Sequence, residues 1–159
     1  MFQHILVPID DTPASKSALM TAAALTDKFG GRITLLYVLD VAREYAAGAL
    51  SVVPYSDLER RKADIQRLLN DASALVQEFG GVCSVQVAHG MPIHKVINTI
   101  ATELDVDVIA MMNCHRSGIG RILWGSVTDG VVREARVPVL VVHESKEKTT
   151  LGTHAVGAR

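Results

Sequence analysis

Apolar residues in this chain fall into two kinds of stretch. Short dense runs at residues 4–9, 32–38, 106–112 and 137–142 have the length and continuity of strands covered on both faces. Residues 82–87 alternate and read as a further strand. Between these runs the apolar positions recur every three or four residues, as on a helix. Residues 15–29 form an Ala-rich helix. Ile65, Leu68, Leu69, Ala72, Leu75, Val76 and Phe79 mark one face of a long helix. Ile93, Val96, Ile97, Ile100 and Leu104 mark a third, and residues 127–134 give a short fourth. The breaks carry matching signals. Asp10-Asp11-Thr12-Pro13 reads as a turn with helix-start chemistry, and Gly30-Gly31 and Gly80-Gly81 stop the first two helices. Ser56-Asp57-Leu58-Glu59 has the form of a capping box, and Pro92 is expected at the first position of its helix. Residues 40–54 lack clean periodicity and read as a loop or broken helix, long enough to serve as a lid over a site.

Strands and helices therefore alternate, β-α-β-α-β-α-β-α-β. That order predicts an α/β fold: a single doubly wound domain with a five-stranded parallel sheet, right-handed crossovers and helices on both faces. The domain is expected over residues 1–144, with residues 145–159 as a polar, loose tail. In such sheets a ligand sits beyond the C-terminal strand ends where strand order reverses, here at Asp10 after the first strand and Met112 at the end of the fourth.

The stretch Arg116-Ser117-Gly118-Ile119-Gly120-Arg121-Ile122-Leu123-Trp124-Gly125-Ser126-Val127-Thr128 follows the fourth strand. A strand, a Gly- and Arg-rich loop and a helix start make an anion site, because unpaired N–H groups and the helix dipole converge there. The remaining chemistry is sparse. Net charge is −1, so no global basic field argues for nucleic acid, and no apolar run is long enough to span a membrane. No basic or apolar leader pattern opens the chain. Two cysteines, Cys83 and Cys114, make neither a disulfide framework nor a CxxC site, which points to a reducing cytoplasm.

Taken in order, several pieces resemble the universal stress protein family: His4-Ile5-Leu6-Val7-Pro8-Ile9-Asp10, Leu35-Leu36-Tyr37-Val38, Ala88-His89-Gly90-Met91-Pro92, Asp107-Val108-Ile109-Ala110-Met111-Met112, the loop from Arg116 through Gly125-Ser126-Val127, and Val137-Pro138-Val139-Leu140-Val141-Val142. The resemblance covers residues 2–143. It implies sheet order 3-2-1-4-5 and a homodimer paired through the last strand, Val137 to Val142. It also implies, in one branch of the family, ATP bound through Gly-x2-Gly-x9-Gly-Ser/Thr. Gly125-Ser126 supplies the end of that motif, but the two earlier glycines fall at Met112 and His115, and Gly118 and Gly120 have the wrong spacing to replace them. Met112 puts a thioether into the ribose region unless it turns into the core, and His115 puts an imidazole beside the phosphates. The other family positions are present: Pro8, Asp10 and Val38 around base and ribose, and Gly125, Ser126, Val127 and Thr128 at the phosphate-facing helix start.

Each signal has a plainer alternative. Asp10 either holds a ribose or caps the first helix, and Ser126 either meets phosphate or is an N-cap with Asp129 in a box-like spacing. Arg116 and Arg121 flank the loop or form a solvated face. Cys114-His115 has no second cluster to complete a metal site, so none is expected. His89 and His94 read as surface or supporting residues, and the run Asp57, Glu59, Arg60, Arg61, Lys62, Asp64 as the exposed side of the long helix. Trp124 reads as a packing or dimer residue. The expectation is a dimeric binding module of the stress response with no catalytic residues, no nucleic-acid partner and no membrane. It is either an adenine-nucleotide (ATP) sensor with an altered glycine motif or a nucleotide-free protein-interaction module. A slow ATPase is the weakest reading, because no Walker lysine, general base or Mg-binding carboxylate pair is visible.

Overall fold

The computed structural model describes residues 2–12, 14–40, 55–113 and 125–143. The order of elements is β1 (His4–Pro8), α1 (Ala14–Phe29), β2 (Arg32–Leu39), α2 (Tyr55–Glu78), β3 (Val82–His89), α3 (Ile93–Glu103), β4 (Val108–Met112), α4 (Ser126–Glu134) and β5 (Val139–Val142). The strands form one parallel sheet in the order β3-β2-β1-β4-β5, as expected. The expected lid at 40–54 lies, but for Asp40, outside the described residues, as do Cys114, His115, the loop from Arg116 to Trp124 and the tail at 145–159.

The dense apolar runs of β1, β2 and β4 fill both faces of the sheet, because side chains alternate along a strand. Ile5, Val7, Ile33, Leu35, Val108 and Ala110 turn to one face, where they pack with Leu19, Ala22 and Ala23 of α1 and Leu69 and Val76 of α2. Leu6, Leu36, Ile109 and Met111 turn to the other, where they meet Ile97, Ile100 and Ala101 of α3 and Val131 of α4. Gly30 and Gly80 follow α1 and α2 with φ of +73° and +72°, the left-handed backbone that lets the chain leave a helix at low cost.

Several boundaries differ from the sequence reading. α2 begins at Tyr55, so Ser56 falls inside the helix and not at its cap. Pro92 is the N-cap of α3 in extended backbone (φ −74°, ψ 146°), one position earlier than expected, its peptide bond to Met91 being cis. α4 starts at Ser126 with Gly125 as N-cap and no side-chain cap bond, so Ser126 is not the cap. β4 and β5 start two residues later than their apolar runs, because Val106 and Val137 pack into the second core cluster outside the ladders.

A polar chain crosses the sheet near its N-terminal end. Arg32 Nη2 lies 3.0 Å from His4 Nδ1, His4 Nε2 lies 2.8 Å from Thr34 Oγ1, and Thr34 Oγ1 lies 2.9 Å from Ser84 Oγ. A guanidinium has only donors, so Nδ1 accepts and Nε2–H donates: His4 is neutral in the fold. It is 6% exposed. Burial first, then the Arg32 charge, hold its pKa below the ordinary histidine value, against the opposite pull of Asp107, the Leu104 backbone and Asp105. The unfolded chain therefore takes up a proton that the folded chain refuses. Stability contributed by neutral His4 is fully present above about pH 6.5 and is lost as pH falls from there toward the lower folded value. Urea titrations between about pH 7 and 5 are expected to show a falling midpoint, with a shallower slope in His4→Gln. An identical slope in both proteins would assign the pH dependence to other groups.

Candidate functional site

β1 is paired with β2 along its whole length, from His4↔Arg32 to Pro8↔Leu36, but with β4 only at Ile5↔Val108 and Leu6↔Ile109. Beyond Leu6 the two central strands part. The chain after β1 stays with β2, where Ile9 N–H donates to the Leu36 carbonyl at 2.9 Å, while β4 continues beside β5 to Met112↔Val142. A crevice thus opens at the C-terminal ends of β1 and β4, where strand order reverses.

On the β1 side stand Pro8, half-buried, and Asp10, exposed. Asp10 Oδ1 accepts from Thr12 N–H at 3.0 Å and from the Thr12 hydroxyl. It is a turn-forming carboxylate, and its Oδ2 makes no hydrogen bond among the described residues. The Ser15 hydroxyl donates to the carbonyls of Thr12 (2.8 Å) and Asp10 (3.1 Å), holding the turn that leads into α1. Val38, toward the end of β2, is half-buried and packs with the second core cluster. The structure therefore places Pro8, Asp10 and Val38 at adjacent strand ends, as expected.

Met112 is 9% exposed. It follows Val108 and Ala110 at intervals of two, so alternation along β4 sets it on the sheet face that they share. Its carbonyl accepts the Thr128 hydroxyl at 3.1 Å, and Thr128 is buried. This bond ties the first turn of α4 to the end of β4. The Thr128 side chain, expected at the phosphate, is committed to the protein backbone. What the helix start offers is main chain. The first helical bond runs from Asp129 N–H to the Gly125 carbonyl at 2.9 Å, so the N–H groups of Ser126, Val127 and Thr128 have no acceptor within the helix. Ser126 is exposed, and Val127 is half-buried against the second cluster.

Two supports hold α4 in place. Asn113 N–H donates to the Val142 carbonyl at 2.9 Å, joining the ends of β4 and β5. Against α3, Gly130 allows close approach: a Cβ there would lie 2.5 Å from His94 Cγ and 2.9 Å from His94 Cβ. His94 Nε2 then reaches Glu134 Oε1 at 3.4 Å, so His94 is a supporting residue. His89 is exposed.

Sequence reading missed a polar recess beside the site. Asp11, Tyr37, Asp57, Arg60, Arg61, Asp64 and Ile65 line a space of about 620 Å³ between the ends of β1 and β2 and the first turns of α2. The charge run is exposed as expected, with Lys62–Glu59 and Arg67–Asp64 pairs along the helix, but Arg60 and Arg61 make no ion pair among the described residues. Tyr37 donates to Asp11 Oδ1 at 3.3 Å. Burial and then the Asp11 carboxylate raise its pKa, so the phenol stays protonated. Among the described residues no three His, Cys, Asp or Glu side chains converge as a metal site, and no helix is long and apolar enough to cross a membrane.

The Thr128–Met112 bond can be tested without changing shape. Thr128→Val keeps the volume but strands a buried carbonyl, and the expected loss is about 1–3 kcal/mol of folding stability by chemical denaturation. A loss under a few tenths would show that α4 is anchored by apolar packing alone.

Comparison with known proteins identifies the family and the fold. The sequence model described as the universal stress protein family matches residues 1–143. The chain is similar to the universal stress protein MJ0531 of Methanocaldococcus jannaschii, 26% identical over 151 residues that cover 93% of this chain and 86% of that protein. Among solved structures it is similar to MJ0577 of the same organism, with a TM-score of 0.75, 26% identity, and coverage of 92% of this chain and 99% of that one. It shares its fold with the universal stress protein of Archaeoglobus fulgidus in complex with dAMP: TM-score 0.64, 19% identity, coverage of 87% and 96%.

Proposed function

The chain belongs to the universal stress protein family, and on that premise we propose that it is a stress-response binding module holding an adenine nucleotide in the crevice between β1 and β4. The observation that carries this reading is the uncapped start of α4, tied to the end of β4 by Thr128. The N–H groups of Ser126, Val127 and Thr128, which have no acceptor within the helix, and the positive end of the helix dipole suit a phosphate. Pro8, Asp10 and Val38 provide the base and ribose side. The Archaeoglobus protein of the same fold was solved in complex with dAMP, which supports this reading. The module acts by binding and not by catalysis, in the cytoplasm.

Native mass spectrometry of the purified protein, followed by calorimetry with ATP, ADP and AMP, tests the reading. A retained adenine nucleotide, or saturable heat with any of the three, is expected. No retained mass and no heat from about pH 6 to 8, across the histidine range, would overturn it. One observation favours the second reading, a nucleotide-free interaction module: the two motif glycines are Met112 and His115, and the Thr128 hydroxyl is already used.

In either reading the protein works as a homodimer through β5. That strand closes one end of the sheet, and all four of its residues, Val139 to Val142, are only half-buried in the single chain. An uncovered apolar edge pairs with its own copy across a two-fold axis. Light scattering is expected to give twice the chain mass, falling toward the monomer in Val141→Lys.

A further inference from the structure

The opposite edge of the sheet carries the same problem in a sharper form. Among the described residues β3 is bonded on one side only, to β2, in continuous register from Arg32↔Val82 to Leu39↔His89. Its sequence, Val82-Cys83-Ser84-Val85-Gln86-Val87-Ala88-His89, contains no Lys, Arg, Asp, Glu or Pro, the residues that ordinarily keep an edge from pairing. Three of its valines are exposed: Val82 at 66%, Val85 at 45% and Val87 at 43%. This is a long, uncharged edge with one row of backbone groups unpaired among the described residues.

Those groups can be identified. Gly90 N–H, just past the strand, donates to the Leu39 carbonyl of β2 at 3.2 Å. N–H and C=O directions alternate along extended backbone, so Val82, Ser84, Gln86 and Ala88 turn theirs to β2. Cys83, Val85 and Val87 turn theirs outward. Such a row is a template for another strand, and a partner strand must present its own outward groups opposite them.

We propose that β3 pairs with β3 of a second copy of this chain, antiparallel, about a two-fold axis through Val85. In that register Val85 exchanges both of its backbone bonds with the partner copy's Val85, and Cys83 does the same with the other copy's Val87. Every outward group meets an outward group. The side chains match as well. On the face packed by α2, Val85 lies against its symmetry mate and Cys83 against Val87. On the face packed by α3, Val82 lies against Ala88 and Ser84 against Gln86. Apolar meets apolar and polar meets polar at each pair, and no charge is buried. A shift of two residues keeps the backbone parity but sets Val82 against Gln86, or leaves Val82 without a partner. The pairing is isologous, so it closes the edge rather than extending it. It is independent of the nucleotide and of β5. Used together with a β5 pair, it joins dimers into larger assemblies.

The test starts from the full chain carrying Val141→Lys, which disables the β5 edge. Sedimentation at high micromolar concentration is expected to show a remaining monomer–dimer equilibrium. Hydrogen exchange is expected to show the Cys83, Val85 and Val87 amides slowing as concentration rises. Adding Val85→Pro removes the central N–H, which β2 does not use, so the sheet is retained by circular dichroism while the dimer dissociation constant rises by roughly tenfold or more. Val85→Lys sets like charges against each other across the axis and gives the same result without altering the backbone. A Val141→Lys protein that stays monomeric, with fast exchange at those three amides, would overturn the pairing and leave the edge to a strand of a different protein. A dimer indifferent to both Val85 variants would overturn it equally.

Discussion

A Gly125→Val protein is expected to lose between about tenfold and a hundredfold in affinity for ATP while keeping its fold. Gly125 is the N-cap of α4, with φ −55° and ψ 149°, a backbone that any residue adopts, so the substitution does not strain the turn. The cost falls on the ligand. Gly125 immediately precedes the three N–H groups that have no acceptor within the helix, and a branched side chain there holds a phosphate away from them. One lost charge-assisted hydrogen bond costs about 1.5–3 kcal/mol, which is the stated range in affinity. Calorimetry on the variant beside the native protein measures it, with denaturant midpoints confirming that stability is preserved. Equal ATP affinity in the two proteins would move the phosphate away from α4.

Leu36→Ala carries the largest expected effect on stability, about 2–5 kcal/mol. Leu36 is fully buried in the cluster between the sheet and α3, at the center of β2, and pairs in register with Pro8 and Gln86. Its own carbonyl holds Ile9, the residue before Asp10, so the cavity opens directly behind one wall of the crevice. For a chain of this length a loss of that size lowers the melting temperature by roughly 5–20 °C. Calorimetric melting checks it. A change under about 1 kcal/mol would mean that α3 collapses onto the sheet and fills the space.

The element order was legible in the residues because burial imposes period. β1, β2 and β4 are covered on both faces, so they read as unbroken apolar runs, and the helices between them repeat every three to four residues. Parallel topology follows from that alternation alone, while the strand order came from the family resemblance. Glycines 30 and 80 marked helix ends because only a residue without a Cβ takes their backbone freely. The candidate site was read from sequence on a local pattern, a strand leading to Gly125-Ser126. Tertiary structure decided what local pattern does not contain. Ser56 lies inside α2, and Pro92 is the N-cap of α3, one position before its expected place. Thr128 looked like a phosphate ligand, and only the meeting of α4 with β4 shows its hydroxyl spent on the Met112 carbonyl. Arg60 and Arg61 read as a solvated helix face, and only the placement of α2 beside Asp11 and Tyr37 makes them the wall of a recess. Composition already marks β3 as uncharged. That its valines are open to solvent, and which of its amides point outward, are properties of an edge, and an edge exists only once the sheet has formed.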